Sequence, residues 1–284
     1  MKMTKITAQL ATIPARERFA KEAVKSLLPQ VDKIRIALNN YSYDGVAGIV
    51  PDWLDHPKIE RIYCDNSKMD GYKFLDAHLN DGYVLICDDD ILYPPDFAET
   101  MVKHLNFFSH PTVLSIMGKN LMPRPMESYA NGRHEFFRAF EMHTHFKKCE
   151  LIGMCGAIYH TRNCKVNETD MVITDSDVCM SVYCDKNRID KYVVPHAGEW
   201  CKDLMEGVTL ESDGVRPAVP TMWMHNKLEK RDKQITKYIN DNLGKNDSKC
   251  FTDCEGEEGD SFAKCVSNCH HEAHDDEGRA KGQF

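Results

Sequence analysis

Three consecutive carboxylates, Asp88, Asp89 and Asp90, follow directly on the apolar run from Tyr83 to Cys87. Like charges at the mouth of a buried strand repel one another and lose hydration, so something must offset them. A divalent cation does so, and hard carboxylate oxygens suit Mg²⁺ or Mn²⁺. An ion held this way keeps positions open for substrate phosphates and neutralises the charge of a departing group. The plainer alternative is a solvated acidic turn that caps the helix opened by Pro94, Pro95 and Asp96. The apolar strand before the triplet and the helix start after it favour the metal. Two further polar pairs, Asn39-Asn40 and Asp65-Asn66, end strand-like segments in the same manner.

These groups need a scaffold that brings them to one edge. Residues 6–11, 33–40, 59–65 and 83–87 read as strands, the last apolar throughout, as in a strand covered on both faces. Between them, Phe19, Ala23, Val24, Leu27 and Leu28 recur at helical spacing over 15–28, and Pro29 ends that helix. Residues 71–79 read as a helix broken by Asp81-Gly82, and 94–107 as another. Alternating strands and helices predict an α/β fold with a mostly parallel sheet, in which ligands bind beyond the carboxyl ends of the strands. Further on, 151–159 and 191–196 read as strands, 177–186 as a helix, 214–226 as an extended Pro-broken segment and 228–241 as a polar surface helix. Residues 118–150 hold Pro123, Pro125 and Gly132 and show no clean period, which predicts a long functional loop or a set of short helices.

The chain has 284 residues, 42% hydrophobic and 28% charged, which excludes intrinsic disorder and allows one large domain or two small ones. No apolar stretch approaches the roughly 18 residues of a membrane span. The first residues hold no long apolar run, so no secretory signal is expected, and a reducing cytoplasmic setting suits the cysteines scattered singly between Cys64 and Cys201. The net charge of −8 argues against a global nucleic-acid clamp. Residues 241–284, however, hold 11 acidic and 5 basic residues, so the first 240 carry only −2 and leave room for a local basic groove.

The segments ATIPAR (11–16), LPQVDKIRIALNNY (28–41), DGYKF (70–74) and CDDDILYPPDF (87–97) together resemble a GT-A-fold glycosyltransferase of the family 2 type. The likeness continues through LIGMCGAIYHT (151–161), SDVCMSVYCDKNRI (176–189) and RDKQITKYIN (231–240), and spans roughly residues 4–241. It implies a Rossmann-like, mostly parallel central sheet with flanking helices over 1–241, with 118–150 as an acceptor-side insert. It also implies a nucleotide-sugar donor, a UDP-sugar in the first instance, transferred to an acceptor hydroxyl with inversion. Asp88 and Asp90 match the Asp-x-Asp signature and would share Mn²⁺ or Mg²⁺ with the diphosphate, beside Asp89. Thr12, Pro14 and Arg16 would lie against the nucleotide, Asn39 near the ribose, Asp65 on the uracil edge, and Lys73 at the phosphates. The alternative is that Arg16 is only a helix N-terminal residue and Lys73 a solvated helix charge. The general base falls on Asp177 at the start of a later helix, with Asp175 as second candidate, although either could be only an N-cap. The acidic pair common at this place in the family has Ser176 here instead. A third metal ligand falls on His225, with His196 behind it, and Trp200 could serve as an aromatic platform for the acceptor.

Lys119, Arg124, Arg133, Arg138, Lys147 and Lys148, set among Tyr129, Phe136, Phe137, Phe140 and Phe146, form a basic-aromatic mix. Such a mix can stack bases and hold phosphates or sugars, or it can be an amphipathic helix with a solvated face. For a glycosyltransferase of this resemblance the acceptor is expected to be a glycan or a hydroxymethylated DNA base. The acidic tail, 242–284, carries Cys250-x3-Cys254 and Cys265-x3-Cys269. Two such pairs can hold structural Zn²⁺ or close a disulfide hairpin. The alternatives to sugar transfer are a sugar nucleotidyltransferase and an inactive metal-binding adaptor. Oligomeric state is not legible.

Overall fold

A computed structural model of the chain describes residues 4–41, 51–206 and 229–244. Four parallel strands come first: β1 (Ile6–Thr12), β2 (Lys33–Asn39), β3 (Ile59–Cys64) and β4 (Tyr83–Cys87). They are followed by β5 (Ile91–Leu92), β6 (Thr112–Ser115), β7 (Gly118–Leu121), β8 (Arg133–Phe137) and β9 (Lys147–Lys148). The last strands are β10 (Leu151–Ile152), β11 (Gly156–His160), β12 (Asp190–Val193) and β13 (Lys202–Asp203). Eight of these form the central sheet, in the order β3-β2-β1-β4-β11-β6-β12-β9. β11 runs antiparallel to both of its neighbours and β9 runs antiparallel to β12; the other pairings in the sheet are parallel. This is the α/β fold class expected, with the acidic triplet at the end of a central strand.

β4 shows why the sheet sits inside the molecule. Tyr83, Leu85 and Cys87 pack in one cluster with α1 (Glu17–Leu27) and α2 (Phe97–Leu105). Val84 and Ile86 point the other way, into a cluster with α3 (Ser176–Lys186). Both faces of the strand are thus covered, and each such aliphatic side chain contributes about 1.5–3 kcal/mol on burial. The turn into β4 requires glycine. Gly82 has φ +119°, and a Cβ there would stand 2.4 Å from Lys5 O.

Several elements differ from the pattern in the sequence. The helix expected over 71–79 is two 3₁₀ turns, Met69–Phe74 and Ala77–Leu79, separated by Asp76 in the left-handed region at φ 52°. The segment 118–150 holds no helix; β7 and β8 pair antiparallel and join β10 in a small three-stranded sheet. The strand expected over 151–159 is split between that sheet (β10) and the central one (β11). The helix expected from 177 begins at Ser176, with Asp175 as its N-cap. The polar helix is α4 (Glu229–Asn242), and it is more than a surface element. Its Ile235 and Ile239 pack with Val178, Val182, Leu121 and Tyr129. Its polar side chains hold the β7–β8 connection: Thr236 Oγ1 accepts from Tyr129 N at 2.8 Å and Asp232 Oδ1 from Ala130 N at 2.7 Å. No helix among the described residues is long and apolar enough to cross a membrane.

Candidate active site

A cleft of about 760 Å³ opens at the carboxyl ends of β1, β2 and β4. Thr12 closes β1, Asn39 closes β2, and β4 runs into Asp88, Asp89 and Asp90; all five side chains line the cleft. The facing wall comes from Asp175, Ser176 and Asp177 at the start of α3, and from Lys119, Tyr129, Arg133 and Phe136 of the β7–β8 hairpin. Parallel pairing places the strand ends together, as the rule for open α/β sheets requires.

Part of the charge on the acidic triplet is offset from within the chain. Arg16 Nη2 lies 2.7 Å from Asp89 Oδ1 and 2.5 Å from Asp90 Oδ2. Lys73 Nζ donates to Asp88 Oδ1 at 2.7 Å and to Met154 O at 2.9 Å. Burial works against both cations, yet the neighbouring carboxylates win and hold Arg16 and Lys73 above their ordinary pKa values. The compensation is incomplete at the acids. Burial raises the carboxyls of Asp89 and Asp90 against the pull of Arg16. The backbone of the triplet is pinned by Tyr93, whose hydroxyl accepts from Asp88 N at 2.8 Å and donates to Cys155 O at 2.7 Å.

The two aspartates at α3 differ in environment. Asp175 is buried and caps the helix, its Oδ1 accepting from Val178 N at 3.1 Å, an arrangement worth about 1 kcal/mol. Burial, then repulsion from Asp177, pushes its carboxyl up to about 6. Asp177 lies in the first helical turn, half-buried, and its Oδ1 accepts from Met154 N at 2.8 Å.

Asp70 completes the acidic lining and is the residue that the sequence reading passed over. It accepts a hydrogen bond from Ser176, and its Oδ2 is 3.7 Å from Lys73 Nζ. Burial raises its carboxyl, and Asp88 and Asp177 add to that from either side. Its place within the DGYKF motif was the signal available. Asp70 Oδ1, Asn39 Oδ1 and Arg16 Nε are buried with no hydrogen-bond partner among the described residues. Buried polar atoms normally have partners, and with Asp89 Oδ2 the cleft lining holds four that lack one among the described residues, a setting in which a ligand could supply partners.

Other candidates fall elsewhere. Pro14 opens the 3₁₀ turn before α1 and is exposed, outside the cleft wall formed by its neighbours Thr12, Ile13 and Arg16. Asp65 is exposed; its Oδ1 accepts from Tyr72 Oη at 2.6 Å and from Ser67 N at 2.9 Å, and the adjacent Asn66 lines the cleft instead. The Tyr72 and Ser67 hydrogen bonds hold the Asp65 carboxyl down at about 2. His196 contacts Ala197 O and Ile116 O through its two ring nitrogens, away from the cleft. Trp200 packs on Phe97 and His196 and donates to Asp96, which makes it structural. Arg124 and Lys148 are engaged by Glu150 and Asp190, so Lys119 and Arg133 are the cations that the 118–150 segment brings to the cleft. His225 and the four tail cysteines, Cys250, Cys254, Cys265 and Cys269, lie outside the described residues.

The donor set fits a hard divalent ion. Asp88 and Asp90 present carboxylates 34% and 24% exposed to the same cleft. Among the described residues no group of three or more His, Cys, Asp or Glu side chains forms a metal cage by itself. An ion held by Asp88 and Asp90 would therefore take its remaining oxygens from phosphate and water.

No family model and no curated protein matches the sequence. Among solved structures, the chain is similar to a mannosyltransferase from Pyrobaculum calidifontis in complex with GDP-Man and Mn²⁺. That alignment covers 94% of this chain and 70% of the other, with 14% identity and a TM-score of 0.49. A second similar structure is 4-diphosphocytidyl-2C-methyl-D-erythritol synthase from Anaerococcus prevotii, over 69% of this chain and 90% of the other, with 13% identity and a TM-score of 0.38.

Proposed function

We propose that the chain is a metal-dependent glycosyltransferase that moves a sugar from a nucleotide-sugar, first a UDP-sugar, to an acceptor hydroxyl with inversion. The charge of the cleft carries this reading. Six carboxylates line it against four basic side chains, a formal balance of −2. A diphosphate entering alone would be repelled; one accompanied by a divalent cation would not. Mn²⁺ or Mg²⁺ at Asp88 and Asp90 would supply electrostatic stabilisation of the departing nucleoside diphosphate.

The chain's own residues do the rest. Thr12 and Asn39 border the nucleoside side of the cleft at the ends of β1 and β2. Lys73 holds Asp88 in place. Asp177 takes the proton from the acceptor hydroxyl as it attacks the anomeric carbon. Asp70, which lines the same cleft, would accept from hydroxyls of the transferred sugar. Tyr129 and Phe136, with Lys119 and Arg133, offer a stacking and cationic wall to a ring-bearing acceptor, a glycan or a hydroxymethylated DNA base.

The test is product analysis. Incubation with nucleotide-sugars, Mn²⁺ and a panel of glycan and hydroxymethylated-DNA acceptors is expected to release nucleoside diphosphate and no pyrophosphate. Pyrophosphate made from a nucleoside triphosphate and a sugar phosphate would reassign the site to nucleotidyl transfer. Absence of turnover with donors of both kinds would leave the adaptor reading.

A further inference from the structure

Arg16 pairs with Asp90, one of the two carboxylates proposed to hold the cation. A single nitrogen, Nη2, reaches both Asp89 Oδ1 and Asp90 Oδ2, while Nε is buried and unpartnered among the described residues. A guanidinium has five donors in a planar fork and pairs best with two of them in parallel on one carboxylate. Here it spans two carboxylates through one nitrogen and leaves another donor unused. That arrangement satisfies the acids better than it satisfies the arginine. Lys73 differs: it is 3% exposed and held by both Asp88 and Met154 O, so it belongs to the fixed frame.

We infer that Arg16 is a stand-in for the divalent cation, holding Asp89 and Asp90 together in the empty cleft and releasing Asp90 to the ion when a diphosphate arrives to take the guanidinium. This rests on the function proposed above and adds a binding order to it. A cation entering alone must displace a paired arginine and then sit beside its like charge. A nucleotide entering with the cation offers Arg16 a new anion in exchange for Asp90. Metal and nucleotide therefore bind with positive coupling, and the coupling passes through one side chain. The cleft discriminates in this way against free divalent ions.

The test is Mn²⁺ binding by the purified chain, read from the electron paramagnetic resonance signal of free Mn²⁺, with and without UDP or GDP. Wild type should bind Mn²⁺ weakly alone and more tightly with one of the nucleotides. Arg16→Gln should bind Mn²⁺ alone about tenfold more tightly than wild type, as expected if Arg16 leaves roughly one molecule in ten competent. The same variant should lose most of the enhancement by nucleotide. Arg16→Lys keeps the charge but places it on a shorter, more flexible side chain, and should shift in the same direction by a smaller factor. Should Arg16→Gln fail to fold, as judged by thermal melting, Arg16→Lys decides. Variants that bind Mn²⁺ no more tightly than wild type, in a chain that does bind Mn²⁺ with nucleotide, would overturn the role of Arg16 and leave the proposed function standing. A wild-type chain that takes no Mn²⁺ with either nucleotide would overturn both.

Discussion

Asp90→Ala is expected to lower sugar transfer by about a thousandfold or more, close to 4 kcal/mol of transition-state stabilisation, while the chain melts within a few degrees of wild type. Asp90 is exposed enough to leave the cleft without opening the core. Arg16, which bridges it, keeps Asp89 as a partner. The loss should persist at saturating Mn²⁺ and donor, because the ion would be left with Asp88 alone. Rate and melting temperature measured on the same preparation check this. A variant with near-normal turnover would remove the metal from the chemistry. Asp88→Ala makes an instructive contrast: it strips Lys73 of its closest carboxylate, so it should cost stability as well as rate.

The second large effect belongs to Asp177. Asp177→Asn should cut transfer by at least about 100-fold, the usual contribution of a general base, with nucleotide affinity unchanged. The amide oxygen of Asn can still accept from Met154 N, as the carboxylate does, so the fold at the start of α3 is preserved. Asp175→Asn should retain transfer, since Asn is as good an N-cap as Asp and that is the role its position shows. Single-turnover rates with calorimetric nucleotide affinities separate the two residues. Near-normal transfer by Asp177→Asn would take the base role away from it.

How much of this was legible in the sequence depends on distance along the chain. β4 and its acids form one local pattern, an apolar run and then charge, and the parallel sheet follows from strand and helix alternation. Thr12 and Asn39 could be placed because they end strands. The partners of the acids could not. Arg16 reaches Asp89 and Asp90 across the sheet, and Ser176 meets Asp70 across 106 positions. No periodicity encodes such contacts. Tyr93, which ties Asp88 to Cys155 just before β11, was hidden for the same reason.

Local misreadings have local causes. Asp76 adopts a left-handed conformation that interrupts a helical pattern over 71–79. In β8, Arg133, His134 and Glu135 are all exposed, so the alternation that marks a strand is absent from the residues that form it. β6, four residues long, is too short for any periodicity to show. The polar face of α4 looked idle because its partners, the backbone amides of Tyr129 and Ala130, carry no side-chain signature.

The most direct test of the central claim is calorimetric titration of UDP and of GDP into the wild-type chain, once with Mn²⁺ and once with EDTA. Saturable binding of one of them that requires the ion is the predicted result. Equal affinity in EDTA, or no binding in either condition, would contradict a cleft whose acids grip a diphosphate through a cation.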